Sequence, residues 1–333
     1  MSSAAERLAA VARHLAEGPG GGIKTIVVFG AGLMGAGIVQ IAAQAGYTVH
    51  MVDVNDKAIN NGLDIIKKSA ARIAKKIAPK NMDEFVAYVM SNIKTFTDRN
   101  KAVEGADLVI EAIIENLKIK QELFDFLDKN TKPECILASN TSSLLLSDIF
   151  EHLPEKRKAV LCGLHYFNPV PVMRLVEVIR TDQTTEETIK IVYDVNKKMG
   201  KTAVLAKDRP GFIVNRLLAA YNREAFKMVE RGDATFEDID TAMKLGAGYP
   251  MGPFELADYT GLDLNLFIAK GWIEYNKRGL VPDYLVGESK LVRSMVEQGR
   301  TGRKSGRGFL RGELPAGSAN GQYKDGKKVK KGN

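Results

Sequence analysis

Cysteine is scarce in this chain of 333 residues: there are two, Cys135 and Cys162, and each lies inside an apolar run. Two thiols cannot build a disulfide framework, and a free thiol among apolar neighbours behaves as a small hydrophobe. The sequence therefore predicts a reducing compartment, and neither cysteine is expected to be catalytic or paired.

Long hydrophobic runs are also absent. No uninterrupted apolar stretch approaches the roughly 18–20 residues that span a bilayer, so membrane insertion is not expected. Hydrophobic residues make up 45% and charged residues 26% of the chain. These values are close to those of soluble globular proteins, which excludes global disorder, collagen-like repeats and coiled-coil rods.

Positive charge exceeds negative charge by eight, and half of the surplus lies in 311–333, which has six basic and two acidic residues. A basic surplus suggests an anionic partner. However, Tyr323 is the only aromatic residue among these basic positions, which is a weak signal for nucleic acid. The sequence therefore predicts no nucleic-acid binding, and a basic tail exposed to solvent.

The length predicts two domains. Strand-length β-branched runs alternate with helical patterns up to Pro210, which is typical of βαβ units on a parallel sheet. The predicted strands are 25–29, 48–53, 107–112, 135–139, 159–164 and 174–179. The helical segments predicted after Pro210 are 212–231, 236–246, 253–259, 263–277 and 287–298. The sequence thus predicts an α/β fold: a Rossmann-type, doubly wound, mostly parallel sheet followed by an all-α C-terminal domain.

The predicted organisation has four parts: an N-terminal extension (1–22), a parallel-sheet α/β domain (23–209), an α-helical domain (210–310) and the basic tail (311–333). Residues 55–97 form an insertion whose apolar positions recur at helical spacing. It predicts a helical hairpin turned at Pro79. Basic residues also recur there at three- and four-residue steps: Lys67, Lys68, Arg72, Lys75 and Lys76.

A glycine motif, GAGLMG, follows the first predicted strand directly and opens an apolar helix. Gly30 permits the tight turn, Gly32 lets the backbone approach a pyrophosphate, and Gly35 lets helix and strand pack closely. Asp53 ends the second strand, where a carboxylate accepts hydrogen bonds from a ribose and repels a 2′-phosphate. The pattern predicts NAD rather than NADP; the alternative is a strand–helix turn that binds nothing.

A second phosphate motif is excluded. Gly200, Lys201 and Thr202 imitate the end of a P-loop, but the position where that motif needs its first glycine is Val195.

One histidine is suited to be a general base. Of the four in the chain, His165 follows an apolar strand and precedes a proline-rich loop, after which the next strand contains a lone acid, Glu177. Strand, loop and strand can return Glu177 to His165, where a carboxylate fixes the imidazole tautomer and raises its basicity. At this spacing the pair is either a catalytic dyad or a structural hydrogen bond.

Successive segments of the chain resemble, in order, the signatures of the NAD-dependent L-3-hydroxyacyl-CoA dehydrogenases. The resemblance covers roughly residues 23–310. The segments are GAGLMG at 30–35, EAIIEN at 111–116, SNTSS at 139–143, LHYFNPVPVMRLVE at 164–177, DRPGFIVNR at 208–216, DTAMKLG at 240–246 and GPFE at 252–255.

The resemblance implies roles for individual residues. It implies that His165 is the base and Glu177 its orienting carboxylate, and that Ser142 and Asn215 bind the reacting end of the substrate. The positions matching cofactor contacts are Glu115, Lys120, Asn168 and Lys304. The positions matching coenzyme A contacts are Ser69 and Lys76, together with Ser142.

The resemblance further implies oxidation of an L-3-hydroxyacyl-CoA to a 3-ketoacyl-CoA in fatty-acid β-oxidation, and a homodimer formed through the α domain. It places the protein in the mitochondrial matrix, with the cytoplasm as the alternative. The first 22 residues match a transit peptide poorly, because Glu6 and Glu17 offset Arg7 and Arg13.

Two departures from the family pattern are local. The segment between Ser142 and His165 is about two residues longer than usual, near 151–156, and the chain continues past Phe309. Three alternatives stay open: a dehydrogenase of a free 3-hydroxy acid, a structural crystallin-like protein, and a nucleic-acid-binding protein.

Overall fold

The computed structural model describes residues 22–310 and the backbone of two short strands, β9 (Tyr323–Lys324) and β10 (Lys327–Lys328), which pair antiparallel. Nearly all of the predicted N-terminal extension and most of the basic tail lie outside the described residues. The described chain forms two units that divide between Phe212 and Ile213. This division lies three residues beyond the predicted domain boundary.

An eight-stranded sheet forms the centre of the first unit. Its strands are β1 (Thr25–Phe29), β2 (Thr48–Val52), β3 (Ile93–Phe96), β4 (Leu108–Glu111), β5 (Ile136–Ser139), β6 (Leu161–Tyr166), β7 (Leu175–Arg180) and β8 (Thr202–Lys207). Their spatial order is β3-β2-β1-β4-β5-β6-β7-β8, and the β6–β7 pair alone is antiparallel. The predicted mostly parallel, doubly wound sheet is confirmed.

Helices pack on both faces of this sheet because its strands are apolar on both sides. In β1, Ile26 and Val28 belong to the core on one face, and Val27 and Phe29 to the core on the other. The helices are α1 (Leu33–Gln44), α2 (Asp56–Ile77), α3 (Met82–Ser91), α4 (Arg99–Ala102), α5 (Leu117–Asn130), α6 (Leu146–Ile149), α7 (Glu155–Lys158) and α8 (Glu186–Lys198).

Three details of the sequence prediction were wrong. Strands β3 and β8 were not predicted, and β3 lies inside the insertion that was predicted as helical. Both are edge strands with half-exposed patterns, so neither has the apolar run of a central strand. His165 lies within β6 rather than after it. The predicted hairpin of α2 and α3 about Pro79 is confirmed.

The second unit is helical, as predicted. Its helices are α9 (Val214–Arg231), α10 (Phe236–Gly246), α11 (Pro253–Thr260), α12 (Leu262–Lys277) and α13 (Lys290–Glu297). Its core contains a cluster of four aromatic rings in which those of Phe254 and Phe309 contact each other and both of the others, Phe226 and Phe236. Over residues 22–310, no helix is both long and apolar enough to cross a membrane.

Candidate active site

The glycine turn after β1 needs two of its three glycines for the protein's own packing. Gly30 has a φ of +103°, and a Cβ there would lie 2.4 Å from the carbonyl oxygen of Ala112. A Cβ on Gly35 would lie 1.8 Å from the carbonyl oxygen of Gly30. A Cβ on Gly32, by contrast, meets nothing within 4 Å. Gly32 therefore borders open space from which a ligand can approach the backbone.

The N-terminus of α1 suits an anion in that space. Gly32 is its N-cap and supplies no side-chain hydrogen bond, and no acidic residue lies in the first turn. The first amide groups of the helix and its dipole can therefore serve a bound phosphate. Because β1 lies between β2 and β4, this end of the sheet is also its topological switch point. The residues present fit the pyrophosphate of a dinucleotide.

Asp53, which follows β2 directly, braces the glycine turn. Its Oδ2 accepts a hydrogen bond from the amide of Ala31 at 2.7 Å, and its Oδ1 accepts one from the amide of Val54 at 2.7 Å. The carboxylate is thus fixed beside the turn that faces the ligand space. Its contact with a ribose stays a prediction.

His165 and Glu177 face each other across the antiparallel β6–β7 pair. The imidazole Nδ1 lies 2.7 Å from Oε2 of Glu177, and the two residues are 5% and 0% exposed. A carboxylate can only accept hydrogen bonds, so Nδ1 donates to it, and in the neutral imidazole Nε2 then carries the lone pair. The structure thus brings the predicted pair into direct contact, in the tautomer that a general base requires.

Glu115 organises the loop that carries Ser142. Its Oε1 accepts hydrogen bonds from the hydroxyl of Thr141 at 2.5 Å and from the amides of Ser142 and Ser143, each at 3.2 Å. Burial raises the pKa of Glu115, but the charge of Lys120 and the hydrogen bonds from the hydroxyls of Thr141 and Ser143 outweigh it and hold the pKa below its ordinary value. The carboxylate therefore stays ionised at neutral pH.

Lys120 forms ion pairs with two carboxylates, one of which is that of Glu115. Its Nζ lies 2.5 Å from Glu111 and 3.1 Å from Glu115, and Lys120 is 1% exposed. Glu111, fully buried, also accepts from the hydroxyl of Ser139 at 2.6 Å. Sequence reasoning assigned Lys120 and Glu115 to the cofactor and missed Glu111 and Ser139. The sequence signal that could have identified Glu111 is its position as the single acidic residue at the end of the apolar strand β4.

Lys201, from the rejected P-loop pattern, anchors the loop between β6 and β7. Its Nζ donates to the carbonyl oxygens of Val170 and, at 2.7 Å, of Met173. Burial lowers the pKa of Lys201 to about 8. Asn168, at the start of this loop, is exposed. Its contact with the cofactor stays a prediction.

Two of the three positions predicted to contact coenzyme A lie on α2. Ser69 is half-buried and Lys76 is exposed, seven residues further along the same helix. The other members of the predicted series of basic residues on this helix are all exposed: Lys67, Lys68, Arg72 and Lys75. α2 therefore presents a line of cations to solvent.

Two predicted site residues belong to the second unit. Asn215 is the second residue of α9. Lys304 lies 2.5 Å from the carboxylate of Asp263, so an ion pair within that unit already engages its ammonium group. The roles of both residues toward ligands stay predictions.

Comparisons with known proteins agree with this geometry. Residues 25–209 match the NAD-binding domain of the 3-hydroxyacyl-CoA dehydrogenase family, and residues 211–312 match its C-terminal domain. A mitochondrial hydroxyacyl-coenzyme A dehydrogenase of Homo sapiens is 48% identical over 292 residues, which cover 87% of this chain and 91% of that protein. A probable 3-hydroxybutyryl-CoA dehydrogenase of Bacillus subtilis is 46% identical, with coverages of 86% and 96%.

Solved structures agree as well. The crystal structure of (S)-3-hydroxybutyryl-CoA dehydrogenase from Ralstonia eutropha matches with a TM-score of 0.79 at 38% identity, and covers 86% of this chain and 98% of that one. Both domains, the glycine turn and the facing His165 and Glu177 thus point to one family. The chain belongs to the 3-hydroxyacyl-CoA dehydrogenase family and is an NAD-dependent oxidoreductase that acts on a CH–OH group.

Proposed function

We propose that the protein oxidises the 3-hydroxyl of an L-3-hydroxyacyl-CoA, with His165 as the general base and Glu177 as its orienting carboxylate. The observation that carries this proposal is the 2.7 Å contact between Nδ1 of His165 and Oε2 of Glu177. Because this bond engages Nδ1, Nε2 is the ring nitrogen that can accept the hydroxyl proton.

The chain's own residues bind, orient and deprotonate the substrate. When bound, NAD supplies the acceptor for the hydride that leaves C3. His165 takes the hydroxyl proton at Nε2, and the buried charge of Glu177 stabilises the imidazolium that results. Ser142 and Asn215 are assigned to hold the hydroxyl and the thioester carbonyl. The product is a 3-ketoacyl-CoA, which corresponds to the oxidative step of fatty-acid β-oxidation.

A substrate assay tests this function against the free-acid alternative. With NADH as reductant, acetoacetyl-CoA should be reduced with a kcat/KM at least about 100-fold above that for acetoacetate, because the coenzyme contacts provide binding energy that the free acid lacks. Equal kcat/KM values would instead assign the protein to free 3-hydroxy acids. No turnover of either compound would favour a structural role.

The selectivity for NAD is assigned to Asp53. Asp53→Ala should weaken NADH binding and reduce the preference for NADH over NADPH by about tenfold, since it removes both the ribose acceptor and the charge that repels a 2′-phosphate. Asp53→Asn is the comparison variant: it removes the charge and keeps one oxygen acceptor, so only one of the amides of Ala31 and Val54 retains its partner. Paired kinetics with both cofactors provide the measurement, and unchanged selectivity in both variants would contradict the assignment.

The cationic line on α2 is assigned to the phosphates of coenzyme A. Replacing Lys68 and Lys76 together by Ala should raise KM for acetoacetyl-CoA about tenfold and flatten its rise with salt, because surface charges act over roughly the Debye length of 10 Å at 0.1 M. kcat should stay nearly constant, since these contacts bind ground and transition states alike.

Two controls isolate this effect. Replacing Lys129 and Lys190, exposed lysines on other helices of the same unit, removes the same net charge and should leave KM unchanged. A pantetheine thioester of the same acyl group lacks the nucleotide phosphates and should be indifferent to the α2 substitutions. If the α2 substitutions raise KM for the pantetheine thioester as much as they raise KM for acetoacetyl-CoA, the cationic residues of α2 do not recognise coenzyme A.

The second unit is assigned to homodimer formation. It exposes large apolar side chains that a monomer leaves in water: Leu217, Leu245, Tyr259, Leu264, Phe267 and Ile268. Light scattering at micromolar concentration should give twice the chain mass of 36.5 kDa. Phe267→Asp should shift the mass toward the monomer, whereas Leu205→Asp, at an exposed position of β8, should not. A wild-type mass of one chain would contradict the dimer.

The assignment to the mitochondrial matrix rests on the names of relatives such as the human protein, which is called mitochondrial. Expression of the full chain with a C-terminal fluorescent tag tests it directly. Co-localisation with a matrix marker is expected, and diffuse cytoplasmic signal would favour the alternative.

A further inference from the structure

Two aromatic rings pack close to the imidazole of His165. The ring centroid of Phe167 lies 4.5 Å from that of His165 at an interplanar angle of 54°, and the centroid of Phe212 lies 5.6 Å away at 55°. Phe167 directly follows β6, whereas Phe212 belongs to the segment after β8. With Glu177 on Nδ1, the imidazole thus has contacts from three separate parts of the chain.

Phe212 places its ring there from an unfavourable backbone conformation. Over residues 22–310 it is the one residue other than glycine with a positive φ, at +47°. A Cβ disfavours this left-handed region, which glycine enters freely. Glycine at this position would relieve the backbone and delete the ring. Placing a phenylalanine ring here therefore costs conformational free energy, which neighbouring contacts must offset.

Those neighbouring contacts are present just before it in the chain. The carboxylate of Asp208 accepts hydrogen bonds from the amides of Leu146 and Ser147, each at 2.8 Å, which ties the segment to the start of α6. The amide of Phe212 donates to the carbonyl oxygen of Arg209 at 3.0 Å. The Phe212 ring itself is buried, 6% exposed, in the core cluster that contains Ile179 of β7.

We propose that Phe212 is a positioning residue for His165: its ring, together with that of Phe167, keeps the imidazole in the orientation that presents Nε2 to the substrate hydroxyl. This inference rests on the proposed role of His165 as the base. The bond from Glu177 restrains Nδ1 but leaves the ring able to rock about that bond. Aromatic rings packed against the imidazole restrict this motion, and a misplacement of about 1 Å can cost roughly 100-fold in rate.

The test compares two phenylalanines of the same core cluster. Phe124 is fully buried in this cluster, and its ring centroid lies 4.8 Å from that of Phe150. Phe212→Leu should lower kcat about tenfold and leave KM for acetoacetyl-CoA and NADH within about threefold. Phe124→Leu should lower the melting temperature and leave kcat per folded molecule within about twofold. Phe212→Met is a second volume-conserving variant should the leucine variant fold poorly.

Phe212→Gly separates the ring from its backbone conformation. Glycine removes the disfavoured φ, so a purely conformational role predicts a kcat above that of Phe212→Leu. A role for the ring predicts that Phe212→Gly loses at least as much kcat as Phe212→Leu, because glycine removes the whole side chain that packs against the imidazole. A glycine variant with wild-type kcat would overturn the proposal.

A double-mutant comparison with Glu177→Gln separates a positioning role from a merely structural one. A merely structural role predicts that the effects of the two substitutions on kcat are independent. Residues that act on one imidazole have non-additive effects. In a Glu177→Gln background, Phe212→Leu should therefore lower kcat by less than about threefold further. A full tenfold further loss, or a Phe212→Leu variant within twofold of wild type, would overturn the positioning role alone. A fully active His165→Gln variant would instead overturn the proposed function and this inference together.

Discussion

His165→Gln should lower kcat for the NADH-dependent reduction of acetoacetyl-CoA by about 10²–10⁴-fold, which is the usual contribution of a positioned acid–base group. In this direction the protonated imidazole donates to the forming hydroxyl, and a glutamine amide cannot take its place at any useful rate. Binding of NADH should change by less than about threefold, because the substitution leaves the glycine turn and Asp53 untouched. Stopped-flow single turnover and a fluorescence titration with NADH measure the two quantities separately.

His50→Gln is the matched control for this variant. His50 is the other buried strand histidine of the sheet, 8% exposed, and its Nδ1 lies 2.7 Å from the carbonyl oxygen of Ala102. Its loss should reduce stability and leave kcat per folded molecule unchanged. If the two histidine variants lose equal activity, His165 is a core residue rather than the base.

Glu177→Gln should lower kcat by about 10²–10³-fold with KM within about threefold, because the carboxylate stabilises an imidazolium that exists only once the proton has moved. The amide is nearly isosteric and can still occupy the space opposite His165. It carries no charge, and its NH₂ group can donate to Nδ1 and hold the imidazole in the wrong tautomer. Near-UV circular dichroism should show that the packing around β6 and β7 is retained.

The outcome for Glu177→Gln separates two readings of the 2.7 Å contact. A structural hydrogen bond between neighbouring strands predicts a loss of thermal stability with turnover within about threefold of wild type, since the bond would then contribute to folding and not to the transition state. A catalytic pair predicts the opposite, a large loss of kcat in a folded protein. Thermal melts and steady-state rates on the same preparation decide between them.

Local features of the sequence were enough to predict the cofactor turn. A strand, GAGLMG and an apolar helix stand in direct succession, so the sequence alone predicts separate roles for Gly30, Gly32 and Gly35. The structure agrees at Gly30 and Gly35, where an added Cβ would collide with backbone. Such predictions succeed because strand, turn and helix are contiguous and the steric demands act over a few residues.

The sequence by itself thus determined the fold class, the NAD motif and the candidate pair His165 and Glu177, since each follows from periodicity, from contiguous motifs or from the scarcity of histidine. Only the tertiary structure decided what depends on register and on long-range burial. The antiparallel pairing of β6 and β7 places Glu177 directly opposite His165. The fold buries Lys120 and Glu111 side by side, where their side chains form an ion pair. The segment after β8 brings the ring of Phe212 to the imidazole, because contacts between residues distant in sequence are set by how strands pair and pack.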